Sequence, residues 1–317
     1  MTVPHMYRAL RNRTQRERSP LGPRSMWIGF VGLLIAVCIS TSCATTGPLP
    51  QPNSYFVSKG EGWKRGQPGV DGVIIFVHGL VGDADGTWRF DSKHPSWPEL
   101  AAKDSDFAAD DVYVVGYATS YSTHTFNIEE TAEHVLRQLY DQELITKYER
   151  IYFVTHSMGG VIVKRMLNIL NDRSGIANLH RVRAVLLIST PSQGAPLAEL
   201  GTWLRMGPDV NDLRPATFNT FLQSVENDWT RMLRGRDRDH ANYPQVYCAY
   251  ETLPTHHLLI VSRVYAMTRC DEELYAMNYD HLQIVKPRDM DHDPYAWAKA
   301  RIREADELKV DAPVRVH

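Results

Sequence analysis

RIYFVTHSMGGVIVKRML, Arg150–Leu167, is the stretch that decides the fold. Its first part, RIYFVT, is a continuous apolar and β-rich run, the pattern of a strand buried on both faces. From Met158 to Leu170 the spacing predicts a helix. Thr155-His156-Ser157-Met158-Gly159-Gly160 lies between them. A serine at such a strand-to-helix turn is held in strained backbone with its hydroxyl exposed above the sheet. Small residues must flank it, because strand and helix nearly touch there. Gly159 meets that need on the helix side. On the strand side Thr155 stands where a glycine is usual, a small but β-branched departure from G-x-S-x-G.

Working outward, further apolar runs alternate with helical patterns. Strands are predicted at Gly72–His78, Asp111–Tyr117, Val182–Ser189, Gln245–Tyr250 and Leu258–Arg263, and a helix over Asn127–Leu144. Continuous apolar strands separated by helices indicate a mostly parallel sheet with helices on both faces. The first strand runs into His78-Gly79-Leu80, where glycine permits a sharp turn at the sheet edge that binds ligands in such folds. The backbone N–H groups of Leu80 and Met158 are expected to meet there as an oxyanion hole. The ring of His78 is expected to be structural. Residues 195–243 interrupt the rhythm with an amphipathic helix carrying Phe218, Phe221, Leu222, Val225, Trp229, Met232 and Leu233. That helix fits either of two roles, packing on the body or roofing a pocket as a cap.

A serine hydroxyl needs a base. With the chain order Ser, then acid, then His, the base comes from the late part of the chain. The candidates are His256, His257, His281 and His292. His256 and His257 read as turn residues and His292 as a helix start, which leaves His281, in a loop beyond the last expected strand. Glu251 directly follows QVYCAY and is the expected acid, with Asp271 and Asp280 as rivals.

The N-terminal part reads differently. Residues 1–42 carry six arginines against one acid, and the remainder carries 29 bases against 36 acids, a net −7. So acidic a body excludes general attraction to nucleic acid. The arginines precede WIGFVGLLIAVCI (27–39) and the small residues 40–44, the layout of an export signal or a short uncleaved anchor. Ser42-Cys43-Ala44 resembles a bacterial lipoprotein processing site with Cys43 as the acylated residue, although Ser40 replaces the usual aliphatic residue. Residues 1–42 are thus expected to be a signal peptide or membrane anchor and 43–70 a Pro- and Gly-rich tether. Residues 71–317 are expected to form one domain with a cap-like insertion at 195–243. The expected location is the cell envelope, membrane-attached through the N-terminal segment, or secreted. Cys248 and Cys270 remain as a pair, read either as a disulfide of an exported protein or as two buried thiols.

Five stretches carry a family resemblance: VHGLVGDADGTW (77–88), THSMGGVIVKRML (155–167), STPSQGAPLAEL (189–200), YETLPT (250–255) and DHLQIVKP (280–287). Together they resemble the lipase-like α/β-hydrolases. More narrowly they resemble the serine-active-site-containing proteins implicated in phospholipid remodelling, and more distantly the GPI inositol deacylases. The resemblance implies an α/β-hydrolase fold with Ser157 as nucleophile, Glu251 as acid and His281 as base. It implies carboxylic, lipid-type esters as substrates and neither metal nor organic cofactor. Two alternatives stay open: an acyltransferase with the same triad, and a catalytically silent binding protein of the envelope. Oligomeric state is not legible.

Overall fold

The strand that opens the deciding stretch is buried from Ile151 to His156, because strands flank it on both sides and helices cover both faces. The computed structural model describes residues 61–80, 82–117, 128–193, 215–237 and 242–310. The export segment with Cys43, and residues 195–214 of the insertion, lie outside the described residues.

One sheet is built from β1 (Gly62–Arg65), β2 (Gly72–Val77), β3 (Asp110–Val115), β4 (Arg150–His156), β5 (Val182–Ile188), β6 (Gln245–Glu251) and β7 (Tyr275–Met277). Their order is β1-β3-β2-β4-β5-β6-β7. All neighbours are parallel except β1, which runs antiparallel to β3. The helices are α1 (Trp97–Lys103), α2 (Ile128–Asp141), α3 (Leu144–Lys147), α4 (Met158–Ser174), α5 (Ile176–Leu179), α6 (Pro215–Leu233), α7 (Arg263–Ala266) and α8 (Asp293–Val310). Side chains alternate across a strand, so β2 divides its apolar residues between two cores. Val73, Ile75 and Val77 pack with α2, α4 and α6 on one face. Ile74 and Phe76 pack with Trp88, α1 and α8 on the other.

Two expectations are corrected here. The segment expected to be a tether, 43–70, contributes β1 to the sheet. Its residues GWKR show no apolar alternation, because this edge strand is held from one side only. Trp63 meets Tyr113 edge-on at 5.1 Å, and Arg65 donates to the carbonyls of Asp110 at 2.9 Å and Ala102 at 2.6 Å. The strand expected at Leu258–Arg263 is absent. Thr255 and Leu258 bond each other across a tight turn whose tip, His256-His257, has φ of 45° and 72°. Ile260 and Val261 are then buried as anchors before the chain enters α7. Apolarity here marks a loop pinned into the core, not a strand. The last strand is instead β7, whose three residues are too few to show a period.

The insertion helix α6 packs on the body. Leu222, Val225, Trp229 and Leu233 are buried with Val161 and Met166 of α4, and Glu226 reaches the buried Lys164 ammonium of α4 at 2.7 Å. Cys248 on β6 and Cys270 are joined by a disulfide, their Cα atoms 6.0 Å apart.

Candidate active site

Ser157 sits between β4 and α4 with φ 52° and ψ −126°. L residues rarely adopt this backbone, and it persists only where its surroundings over-determine it. Those surroundings are visible. The Ser157 N–H donates to Ile188 of β5 at 2.9 Å, and the Ser157 carbonyl accepts from Gly160 at 3.1 Å. A Cβ on Gly159 would collide with the carbonyl oxygens of Val77 and His78, so only glycine lets α4 approach β2 so closely. Thr155, in place of the usual glycine, is fully buried and donates its hydroxyl to the Leu186 carbonyl at 2.8 Å, tying β4 to β5.

The histidine and the acid come from the next loops along the sheet edge. Nε2 of His281 lies 3.0 Å from Ser157 Oγ, and its Nδ1 lies 3.3 Å from Glu251 Oε1. Both His281 and Glu251 have no exposed surface. With the ring proton on Nδ1, as the carboxylate favours, His281 donates to Glu251 and accepts from the serine hydroxyl. Glu251 ends β6, and its Oε1 also accepts the N–H of Val261. The loop after β7 is held by Thr255, whose hydroxyl accepts the His281 N–H at 2.9 Å.

The rival residues fall elsewhere. His256 and His257 are exposed at their turn. His292 pairs with the Tyr279 hydroxyl at 3.1 Å. Asp280 Oδ1 accepts the N–H groups of Leu282 and Gln283, both at 2.9 Å, and so shapes the turn after His281. Asp271 binds Arg236 at 2.5 Å and accepts the Val246 N–H at 2.6 Å.

The His78-Gly79-Leu80 turn lies against the serine: a Cβ on Gly79 would meet Ser157 Cβ at 2.8 Å. Met158, the first residue of α4, and Leu80 are both buried. The amide of Met158 belongs to the first turn of a helix, whose N–H groups have no partner within the helix and carry positive potential. His78 stacks on Tyr117 with ring centroids 4.2 Å apart, and its Nδ1 pairs with the Gly79 carbonyl at 2.9 Å. Burial lowers its pKa to about 4, so the ring is neutral at neutral pH. Its Nε2 has no hydrogen-bond partner among the described residues.

One residue at the site escaped the sequence. His156 is buried and donates from Nε2 to the carbonyl of His281 at 2.9 Å, with the two rings 4.8 Å apart. Desolvation, and the neighbouring His281 ring, hold its pKa well below the usual value. Its place beside the serine was the only signal available. Among the described residues no group of three or more His, Cys, Asp or Glu is placed to hold a metal ion.

With this geometry in place, likeness to known proteins is informative. The model of the Alpha/beta hydrolase family matches residues 74–308. The chain belongs to the alpha/beta hydrolase family. Protein SERAC1 of Bos taurus is 26% identical over 271 residues, covering 77% of this chain and 40% of the relative. Protein SERAC1 of Homo sapiens is 24% identical with the same coverage. The chain therefore spans about two fifths of the length of the curated relatives it matches. Among solved structures, Phospholipase PlaB from Legionella pneumophila superposes with a TM-score of 0.54 at 15% identity, over 75% of this chain and 61% of that one. At that identity the likeness extends to the fold alone. The family membership agrees with the parallel sheet and with the serine turn at the end of β4.

Proposed function

We propose that this protein is a serine esterase acting on carboxylic esters of lipid type through Ser157, His281 and Glu251. The observation that carries the proposal is the unbroken side-chain line from Glu251 through His281 to a serine in strained backbone. Ser157 Oγ attacks the ester carbonyl as its proton passes to His281 Nε2. The resulting imidazolium is stabilised by Glu251. The oxyanion lies between the N–H groups of Leu80 and Met158, donors aimed at charge that develops only in the transition state. The tetrahedral adduct collapses as His281 returns the proton to the departing alkoxide, leaving an acyl-serine. Water, deprotonated by the same ring, then releases the acid and restores the serine. The lipid character of the substrate rests on the resemblance of YETLPT and DHLQIVKP to the serine-active-site proteins of phospholipid remodelling.

The test is labelling of the full chain with a fluorophosphonate together with hydrolysis of an ester series of increasing acyl length. Ser157→Ala should lose the label and reduce turnover by about 10⁴-fold or more, with unchanged melting. A folded Ser157→Ala protein that still turns over ester overturns the proposal.

A further inference from the structure

His281 belongs to no strand or helix. It lies in the turn beyond β7, and yet its ring has to stay within reach of Ser157 on one side and Glu251 on the other. Catalytic groups need to be held to about 0.5 Å, and a misplacement of about 1 Å can cost about 100-fold in rate. Two side chains hold the His281 main chain from opposite sides. Thr255 accepts its N–H at 2.9 Å, and His156 donates Nε2–H to its carbonyl at 2.9 Å.

His156 is suited to that task by its own anchoring. It is the last residue of β4 and pairs in register with Ile188 of β5, so its backbone belongs to the centre of the sheet. Side chains alternate along a strand, which sends its ring to the face of Tyr152 and Val154. On that same face Ile284 and Val285 are buried after the chain leaves His281. A carbonyl only accepts, so the His156 ring proton that faces it is on Nε2. Desolvation, and then the adjacent His281 ring, lower the His156 pKa well below the usual value, so the ring is neutral. With ring centroids 4.8 Å apart, a charged His156 would oppose the imidazolium that His281 becomes on taking the serine proton. Ser157 follows His156 directly. Two consecutive residues therefore hold His281 at both ends, Ser157 at the ring and His156 at the main chain.

We propose that His156 is a positioning residue of the Ser157 site, an Nε2–H donor that fixes the main chain of His281 and with it the approach of His281 Nε2 to Ser157 Oγ. The inference rests on the esterase reading proposed for Ser157, His281 and Glu251. It gives the residue before the nucleophile a role in rate and none in binding, because a buried ring acting through the base touches no substrate. A histidine that only filled the core would be replaceable by any side chain of similar size. A donor at Nε2 is replaceable by glutamine, whose amide nitrogen reaches the same place. Asparagine is one carbon too short, and phenylalanine has no donor.

Two measurements on the full chain test this, each on His156→Phe, His156→Asn and His156→Gln. The first is steady-state hydrolysis of a short-chain ester together with the rate of fluorophosphonate labelling. The first two variants should lower kcat and the labelling rate together by about 30-fold or more, with KM within about twofold. The third should recover both rates to within about threefold of wild type. The second measurement is exchange of the His281 Nδ1 proton with solvent, followed by NMR in protein isotope-labelled in its histidine rings. Exchange should quicken by about tenfold or more in the first two variants and stay near wild type in the third. Wild-type rates in every variant overturn the role. So does a loss in His156→Gln as large as in His156→Phe, or a loss that falls on KM. Should His156→Phe fail to fold, His156→Asn against His156→Gln makes the same comparison. A wild-type chain that hydrolyses no ester and takes no label overturns the esterase reading, and the proton exchange then decides by itself whether His156 holds His281.

Discussion

The two ends of the same strands are built by opposite rules. At the N-terminal end of the sheet, charged side chains gather into ion pairs, and the polar atoms left buried without a partner among the described residues are guanidinium nitrogens, Nε of Arg150, Arg181 and Arg183. Arg150, which opens β4, reaches Asp71 at 2.9 Å, Asp110 at 3.2 Å and Asp306 at 3.1 Å. Tyr152 donates to Asp306 and Tyr148 to Asp111, both at 2.5 Å. At the C-terminal end, Ser157 and Ser189 have φ of 52° and 48°. There His78 Nε2, Ser189 Oγ, Thr190 Oγ1 and Glu251 Oε2 are buried with no hydrogen-bond partner among the described residues. Buried polar groups are normally satisfied, and exceptions collect where strain serves chemistry. The comparison teaches that one end of the sheet is built for stability, and that the other carries costs a stable fold can bear.

The sharpest way to break this contrast is to exchange one carboxylate at a time. Glu251→Gln should lower kcat by about 10⁴-fold, as loss of the orienting acid does in Ser-His-Asp proteases, with little change in melting. Asp271→Asn, which loosens Arg236 and the Val246 amide, should instead lower Tm with kcat nearly intact. Steady-state kinetics and melting curves of the two variants decide it, and a catalytic defect in Asp271→Asn with a mild one in Glu251→Gln would reverse the assignment.

A second experiment asks whether the C-terminal half of the molecule also contains charges that are fully paired. The Lys164 ammonium is 1% exposed and donates to Ser192 at 2.8 Å, Thr268 at 3.0 Å and Glu226 at 2.7 Å. Its pKa is lowered because burial outweighs the attraction of Glu226. Lys164→Met should cost about 3 kcal/mol by leaving a half-buried carboxylate without its cation. Adding Glu226→Gln should restore most of it, measured as denaturant midpoints. Equal midpoints for the single and double variants would remove the pair from the account.

The smallest effect is one of pH, and it has opposite signs at the two ends. His78 has its pKa lowered from 6.5 to about 4 by burial. Its contribution to stability is complete above 6.5 and is lost as pH falls toward about 4. Asp110 has its pKa raised from 3.8 to about 6 by burial, against the pull of Arg150. Its contribution is complete below 3.8 and is lost as pH rises through about 6. His78→Gln should therefore soften the fall of Tm between pH 6.5 and 4, the window set by its lowered pKa. Asp110→Asn should favour neutral over acid pH by a few degrees more than wild type. Melting profiles that match wild type in both variants would show that the two ends do not differ in this way.

What the sequence made legible follows from what the strands are made of. β2 to β6 are long, apolar and buried on both faces, so composition alone located them. β1 and β7 are short edge strands held by an arginine and by main-chain bonds, which leave no periodic trace. The run LLIVSR looked like a strand because anchoring a loop and filling a sheet use the same residues. At the site, Ser157 was legible from its turn, and His281 and Glu251 from chain order. His156 was not, because its role is a bond to a backbone carbonyl 125 positions away, and no local pattern encodes such a partner.

The glycines around Ser157 have a consequence for the substrates this protein can come to accept. Gly79 and Gly159 leave no room for even one more carbon between the serine, the end of β2 and α4. The floor of the site is thus closed to variation, and substitutions there would cost chemistry before they changed preference. A new substrate range has to be sought in the walls, in the loop after β6 and the turn after β2. In descendants of this chain the reaction should stay constant as its specificity drifts.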